Sequence, residues 1–251
     1  MNYHTIHDVL RELEAHPIEG KAPLYHPIPF PEFEHVATSA SKAEVYRKWH
    51  LIQNFLTRMY GVVSLSNHGA HCGRLQVLDV GANAGFFTFR FAQQGARVEV
   101  FESDPRYSAI GKFLAQEKKL PIIWHGTSFE SSLIQAPKFD VALMLSVFQW
   151  MAAGGEKMRE ARENLRTISQ MSDYLIFELG FNAGKSCLKT HKFNHYAALV
   201  ELLRQNTVYP YFQLLGKTQL WQRGPRYLVA CSKIQAIQDR FLISLWRKIR
   251  V

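Results

Sequence analysis

The sequence predicts an α/β fold built on a doubly wound, mostly parallel sheet closed by an antiparallel C-terminal hairpin. Three observations carry this. From Leu75 onward, short apolar runs alternate with helical stretches. The run Phe139–Ser146 is nearly continuous in apolar residues, as a strand covered on both faces requires. Finally, Tyr211–Lys217 and Arg226–Ser232 follow one another across a turn through Arg223-Gly224-Pro225, with no helix between them.

Taken in order, Ile6, Val9, Leu10 and Leu13 at helical spacing predict a helix over residues 3–15. Pro23, Pro27, Pro29 and Pro31 then forbid regular helix and favour an extended strap. Ser41 and Glu44 form a capping-box pattern for a second helix whose apolar stripe runs through Val45, Trp49, Ile52 and Leu56. The alternating part follows. Strands are expected at Gln76–Val80, Arg97–Glu102, Pro121–Trp124, Phe139–Ser146 and Tyr174–Leu179. Helices are expected at Phe86–Gln94, Pro105–Lys119, Glu156–Gln170 and around His191–Arg204. With the last two strands the sheet has seven. The organisation expected is an N-terminal helical and extended cap (1–74), an α/β domain (75–232) and a basic amphipathic helix (233–251).

Of 251 residues, 47% are apolar, enough for one substantial core, and the formal charge is +9. Residues 1–75 hold 7 basic and 7 acidic side chains, residues 76–180 hold 11 and 12, and residues 181–251 hold 12 and 2. The surplus therefore lies in the last quarter, where it suits a phosphate-bearing substrate, nucleic acid or an anionic membrane surface, or serves as solubilising charge. Ile237, Phe241, Leu245 and Trp246 space that end as a basic amphipathic helix, suited to a membrane surface, a partner groove or its own domain. Cys72, Cys187 and Cys231 make no disulfide framework, and the N-terminus carries no secretory pattern; both suit a cytoplasmic location, with the inner membrane face as a peripheral option. His68, His71 and Cys72 are too close together, without a distant fourth ligand, to argue for a metal, and none is expected.

The strongest chemical signal is Val77-Leu78-Asp79-Val80-Gly81-Ala82-Asn83-Ala84-Gly85-Phe86-Phe87. A buried strand ends in an acid, then a tight glycine turn, then a helix. Gly81 permits a sharp turn and close backbone approach, and Gly85 lets the helix start near the strand. Glu102, at the tip of the next strand, is placed to accept both hydroxyls of a ribose. The spacing G-x-x-x-G, with Asn83 in the middle, serves a pyrophosphate poorly, which speaks against a dinucleotide and for a smaller nucleoside ligand. Asp79 beside the turn can meet an amino group.

The run DVGANAGFF followed by VFESDP resembles the first motif and acidic strand end of class I S-adenosylmethionine (SAM)-dependent methyltransferases, a Rossmann-like family, over roughly residues 75–232. Tyr25-His26-Pro27-Ile28, Tyr46-Arg47-Lys48-Trp49, Leu145–Trp150 and Arg223–Tyr227 further resemble a bacterial group similar to enzymes of cell-surface glycan modification. The resemblance implies that SAM is the cofactor. Asp79, Gly81, Ala82, Asn83 and Gly85 would line its methionine end, Glu102 its ribose, and Ser103 and Asp104 the adenine border. The family's acid after the third strand is absent, so Thr127, Ser128 and Phe129 would stand in for it.

By the same resemblance, Ser146, Val147, Gln149 and Trp150 fall where the methyl-transfer site opens. Gln149 and Trp150, with Arg223, are candidates for binding the acceptor, and an aromatic there suits a sulfonium. A hydroxyl acceptor wants a base; Glu178, His125, His191 and His195 are candidates, with Glu178 and His191 foremost. Lys185, Lys189, Lys192 and Arg226 lie near the expected mouth and suit a phosphorylated or nucleotide-linked acceptor. The expected activity is O-methylation of a glycan, sugar-linked or other small molecule. RNA methylation and a non-catalytic scaffold are the alternatives.

Overall fold

The computed structural model describes residues 3–17, 22–60, 75–136, 138–180, 195–219 and 226–234. Helix α1 (Ile6–Ala15) starts at Thr5, whose hydroxyl accepts from Asp8 N–H while the Asp8 carboxylate accepts from Thr5 N–H. The proline-rich strap then folds back on itself. Ser39 N–H donates to Leu24 C=O at 2.8 Å and Ala40 N–H to Tyr25 C=O at 3.0 Å, while Leu24, Ile28, Phe30 and Phe33 are buried.

Helix α2 (Lys42–Tyr60) begins after Ser41, whose hydroxyl accepts from Glu44 N–H at 3.4 Å. The reciprocal half of the expected capping box differs. The Glu44 carboxylate accepts from the Arg47 guanidinium at 3.1 and 3.0 Å and from Gln219 N–H. A bidentate charge-assisted pair one turn away outcompetes a single backbone N–H.

The α/β part comprises β1 (Gln76–Val80), α3 (Phe86–Gln93), β2 (Arg97–Phe101), α4 (Pro105–Glu117), β3 (Ile122–His125), β4 (Phe139–Leu145), the one-turn α5 (Phe148–Met151), α6 (Met158–Met171) and β5 (Ser172–Glu178). Helix α7 (Tyr196–Asn206) and strands β6 (Tyr211–Thr218) and β7 (Arg226–Ser232) follow. The seven strands lie in the order β3-β2-β1-β4-β5-β7-β6. The first five are parallel, and β7 runs antiparallel to both β5 and β6. This is the doubly wound, mostly parallel sheet with an antiparallel pair at its end that the element pattern predicts.

Strand β7 is therefore inserted between β5 and β6, and its first residue, Arg226, sits at the edge where the parallel strands end. There Thr218 pairs with Arg226 and Glu178 with Leu228.

Each sheet face has its own core. On one, Val77, Val98 and Leu143 pack with Trp49 and Ile52 of α2 and with Phe89 of α3; Val9 and Leu13 of α1 belong to the same cluster. On the other, Leu78, Met144 and Phe177 pack with Leu165 of α6 and Leu203 of α7. The first sixty residues thus supply much of one layer, each fully buried Leu, Ile or Phe contributing about 1.5–3 kcal/mol. Among the described residues no helix is long and apolar enough to cross a membrane.

A candidate cofactor and methyl-transfer cleft

At the carboxyl edge of the sheet a cavity of about 440 Å³ opens between the tips of β1, β2 and β4 and the strap. Its cofactor side is built from the glycine turn. Gly81 adopts φ +75°, and a Cβ there would lie 2.3 Å from Val147 Cγ2. The close approach that glycine permits is thus first to the loop after β4, across the cavity wall. Gly85, at φ +93°, starts α3, and a Cβ on it would meet Phe89 at 2.7 Å.

Asn83 is held in the left-handed region at φ +55°, its N–H donating to Glu102 Oε2 at 2.7 Å. Its own Oδ1 is buried with no hydrogen-bond partner among the described residues. Glu102 also accepts from Asp104 N–H at 2.8 Å. Two backbone donors fix the carboxylate, whose remaining lone pairs are free to accept from a ligand. Burial pushes its pKa up, with the Asp104 charge assisting, against the pull of the Asp104, Asn83 and Ser103 N–H groups.

Asp79 is buried and accepts from Thr88 Oγ1 at 2.5 Å. Burial raises its pKa to about 7, with the Thr88 bond opposing and the Glu102 charge assisting. A carboxylate so desolvated gains from a cationic partner. Ala82 is buried in the turn. Ser103 lines the cavity, and Asp104 lines it while capping α4 through Arg106 and Tyr107 N–H.

Thr127, Ser128 and Phe129 are not among the lining residues. Phe129 is buried against the Phe101 ring, centroids 5.2 Å apart, Thr127 donates to Glu130, and Ser128 is exposed. Tyr107 occupies that flank instead, its hydroxyl accepting from Tyr25 N–H of the strap.

The other side, where the acceptor is expected, follows β4. Ser146 takes φ +60°, unusual for a residue with a Cβ, and is held there by two bonds to Glu178: N–H to the backbone carbonyl at 2.7 Å and Oγ to Oε1 at 2.6 Å. Val147 and Trp150 line the cavity, with Trp150 47% exposed at its rim. Gln149 is fully buried and staples the loop, donating to Ser146 C=O and accepting from Gly180 N–H.

Glu178 is buried in a dense network. It accepts from Lys48 Nζ at 2.8 Å, Ser146 Oγ and Thr218 Oγ1, and Arg226 stands 3.7 Å away. Burial alone would raise its pKa, but the Lys48 and Arg226 charges and these bonds hold it at about 2. A carboxylate so engaged is a weak proton acceptor near neutrality. His125 pairs with Glu99 at 2.9 Å. His195 occupies the N-cap position of α7 with no side-chain capping bond. His191, Arg223, Lys185, Lys189, Lys192, the His68–Cys72 trio and most of the basic C-terminal helix lie outside the described residues. Among those described, no cluster of His, Cys, Asp and Glu could hold a metal ion.

Five lining residues had no site role in the sequence: Tyr25 and His26 of the strap, Lys48 of α2, Tyr107 of α4 and Leu145 of β4. Lys48 carried a signal: three residues after Val45 and beside Trp49, it stands on the buried stripe of its helix.

Residues 78–169 match the family model of a methyltransferase domain. SAM is the cofactor such a domain implies, and the turn fits it: a glycine turn closed against Val147 at the cavity wall, an orphan Asn83 amide oxygen, and an oriented, desolvated Glu102. The fold is that of known methyltransferases. The chain is similar to the bifunctional kinase-methyltransferase WbdD at TM-score 0.65 and 19% identity, over 91% of this chain and 47% of that one. It is also similar to the Thermus thermophilus 16S rRNA N2 G1207 methyltransferase RsmC, in complex with AdoMet and guanosine, at 0.50 and 18%, over 77% and 43%. The chain spans about half the length of the WbdD structures it matches. No curated protein matches it.

Proposed function

We propose that the protein is a SAM-dependent O-methyltransferase acting on a glycan, a sugar-linked compound or another small acceptor. The observation that carries this is one continuous cavity. Its β1–β2 end presents Gly81, Asn83 and Glu102, and its β4 end presents Ser146, Val147 and Trp150. A nucleoside held at the first end points its methionine arm toward the second.

Gly81, Asn83 and Glu102 would hold SAM, which would supply an electrophilic methyl to an acceptor oxygen, with SAH as the leaving group and the acceptor's proton released to water. The protein's share is placement. Glu102 would accept the ribose hydroxyls, Ser146 and Val147 would flank the methionine arm, and Asp79, buried behind the turn and not lining the cavity, would act on the amino group through its charge or a water. Trp150 offers its ring to the sulfonium and the acceptor. Holding the two reactants in line supplies much of the rate. Glu178, tied by Lys48, Ser146 and Thr218, serves in this reading as a positioning residue that fixes the Ser146 loop. The basic segment after residue 233, if it meets an anionic bilayer, would bring the enzyme to the inner membrane face and a lipid-linked glycan.

The test is incubation of the protein with methyl-labelled SAM and fractionated bacterial extract, with calorimetric titration of S-adenosylhomocysteine (SAH) in parallel. Label in a glycan or soluble metabolite is the expected result. Label in RNA would overturn the acceptor, and no heat with SAH while NADH binds would overturn the enzyme class.

A further inference from the structure

The cavity is charged unequally along its length. Its β2 end carries Glu102 and Asp104, whereas His26 and Lys48 line it elsewhere, backed by Glu178 and Arg226, which do not line the cavity themselves; Arg226 Nη1 donates to Ser146 Oγ at 3.1 Å. Lys48 Nζ and Arg226 Nη1 stand 2.8 and 3.7 Å from the same atom, Glu178 Oε1. Two fixed cations face one fixed anion in a place nearly closed to water: the three side chains are 1%, 4% and 0% exposed. A buried charge without a partner costs several kcal/mol, so the arrangement calls for another anion.

Donors remain for one. Lys48 gives one ammonium bond to Glu178, out of three it can make. His26 lines the cavity, and its Nε2 is buried with no hydrogen-bond partner among the described residues. Burial first, then the Lys48 charge, lower the His26 pKa to about 3, with Glu178 opposing and Arg226 assisting. An incoming anion would relieve that positive field.

We propose that His26 and Lys48, with the Arg226 charge behind them, form a subsite for an acidic group, a phosphate or a carboxylate, carried by the methyl acceptor. Its place in the sheet favours the acceptor over the cofactor. Glu178 and Arg226 stand at the tips of β5 and β7, two and three strands beyond β1. At about 4.8 Å per strand, that is roughly 10–14 Å across the sheet from the glycine turn. The inference rests on the cavity being the methyl-transfer site, a reading that SAH calorimetry tests separately.

The experiment uses the full chain saturated with SAH and titrated with inorganic phosphate, following the His26 imidazole resonances by NMR, assigned with His26→Asn. Binding is expected to raise the His26 pKa, since phosphate adds negative charge beside a ring now faced by Lys48 and Arg226. Lys48→Met, measured with SAH kept saturating, should weaken phosphate about tenfold or more, the loss of one charge-assisted bond; Lys48→Arg should retain phosphate.

Because Lys48→Met leaves Glu178 buried and unpaired, Lys48→Met/Glu178→Gln is measured beside it, with circular dichroism to confirm folding. Failure of phosphate and of acetate to move the His26 resonances, with SAH bound, overturns the subsite. Displacement of phosphate by SAH but not by 5′-methylthioadenosine, which lacks the amino-acid arm, gives these donors to the cofactor's carboxylate and overturns the acceptor assignment.

Discussion

Asp79 titrates at about 7 in the folded protein against an ordinary 3.8, chiefly because it is buried. A folded-state pKa above the unfolded one means the native state holds the proton more tightly. Stability therefore falls as pH rises from about 4 to about 7, and the full cost persists above that. At 1.36 kcal/mol per unit the cost is about 4 kcal/mol at pH 8 but only about 1.5 kcal/mol at pH 5. Asn has nearly the same shape and still accepts from Thr88 Oγ1, so Asp79→Asn removes the charge and little else. Urea unfolding should find the variant more stable than the parent at pH 8, with an advantage roughly 2–3 kcal/mol larger than at pH 5. Glu102, whose pKa is also raised, is present in both proteins, so its contribution cancels apart from its charge coupling to Asp79. The same variant should lose about tenfold or more in SAH affinity, as an ammonium loses its carboxylate. Stability curves of variant and parent that run parallel across this pH range would refute the burial argument, and unchanged SAH affinity would refute the amino-group contact.

Glu102→Ala should keep the fold and weaken SAH by about a hundredfold, as two ribose hydroxyls lose a charged acceptor; calorimetry at constant pH checks this. Gly81→Ala places a Cβ 2.3 Å from Val147 in the left-handed region. It should cost about 1–2 kcal/mol from backbone alone, lower the melting temperature by several degrees, and abolish SAH binding by moving a cavity wall. Glu178→Gln leaves Lys48 and Arg226 buried without their anion and should destabilise by about 3–5 kcal/mol in urea; a loss below 1 kcal/mol would mean water reaches the network.

The parallel half of the molecule was legible because its signals are local. A strand, an acid, a glycine turn and a helix occupy eleven consecutive residues, and Glu102 follows at the next strand tip. The acceptor side was less so, because it is assembled from afar. Lys48 meets Glu178 across 130 residues of sequence, and no periodicity couples a strap histidine to a strand tip. What α2 did offer was a lysine on an otherwise apolar stripe, readable as a charge awaiting a partner. The stretch Thr127–Phe129 illustrates the converse. Its position after β3 suggested a ligand contact, yet a Phe near a strand end gains more by packing on Phe101 than by facing an open cleft.

The N-terminal layer has a consequence for how the enzyme comes into being. The strap and α2 roof one face of the sheet and also deliver His26 and Lys48 to the cleft. A newly made chain whose first sixty residues have not docked lacks both a closed hydrophobic face and the cationic end of its pocket. Closing that hydrophobic layer and completing the cationic end of the cleft are then one act of docking.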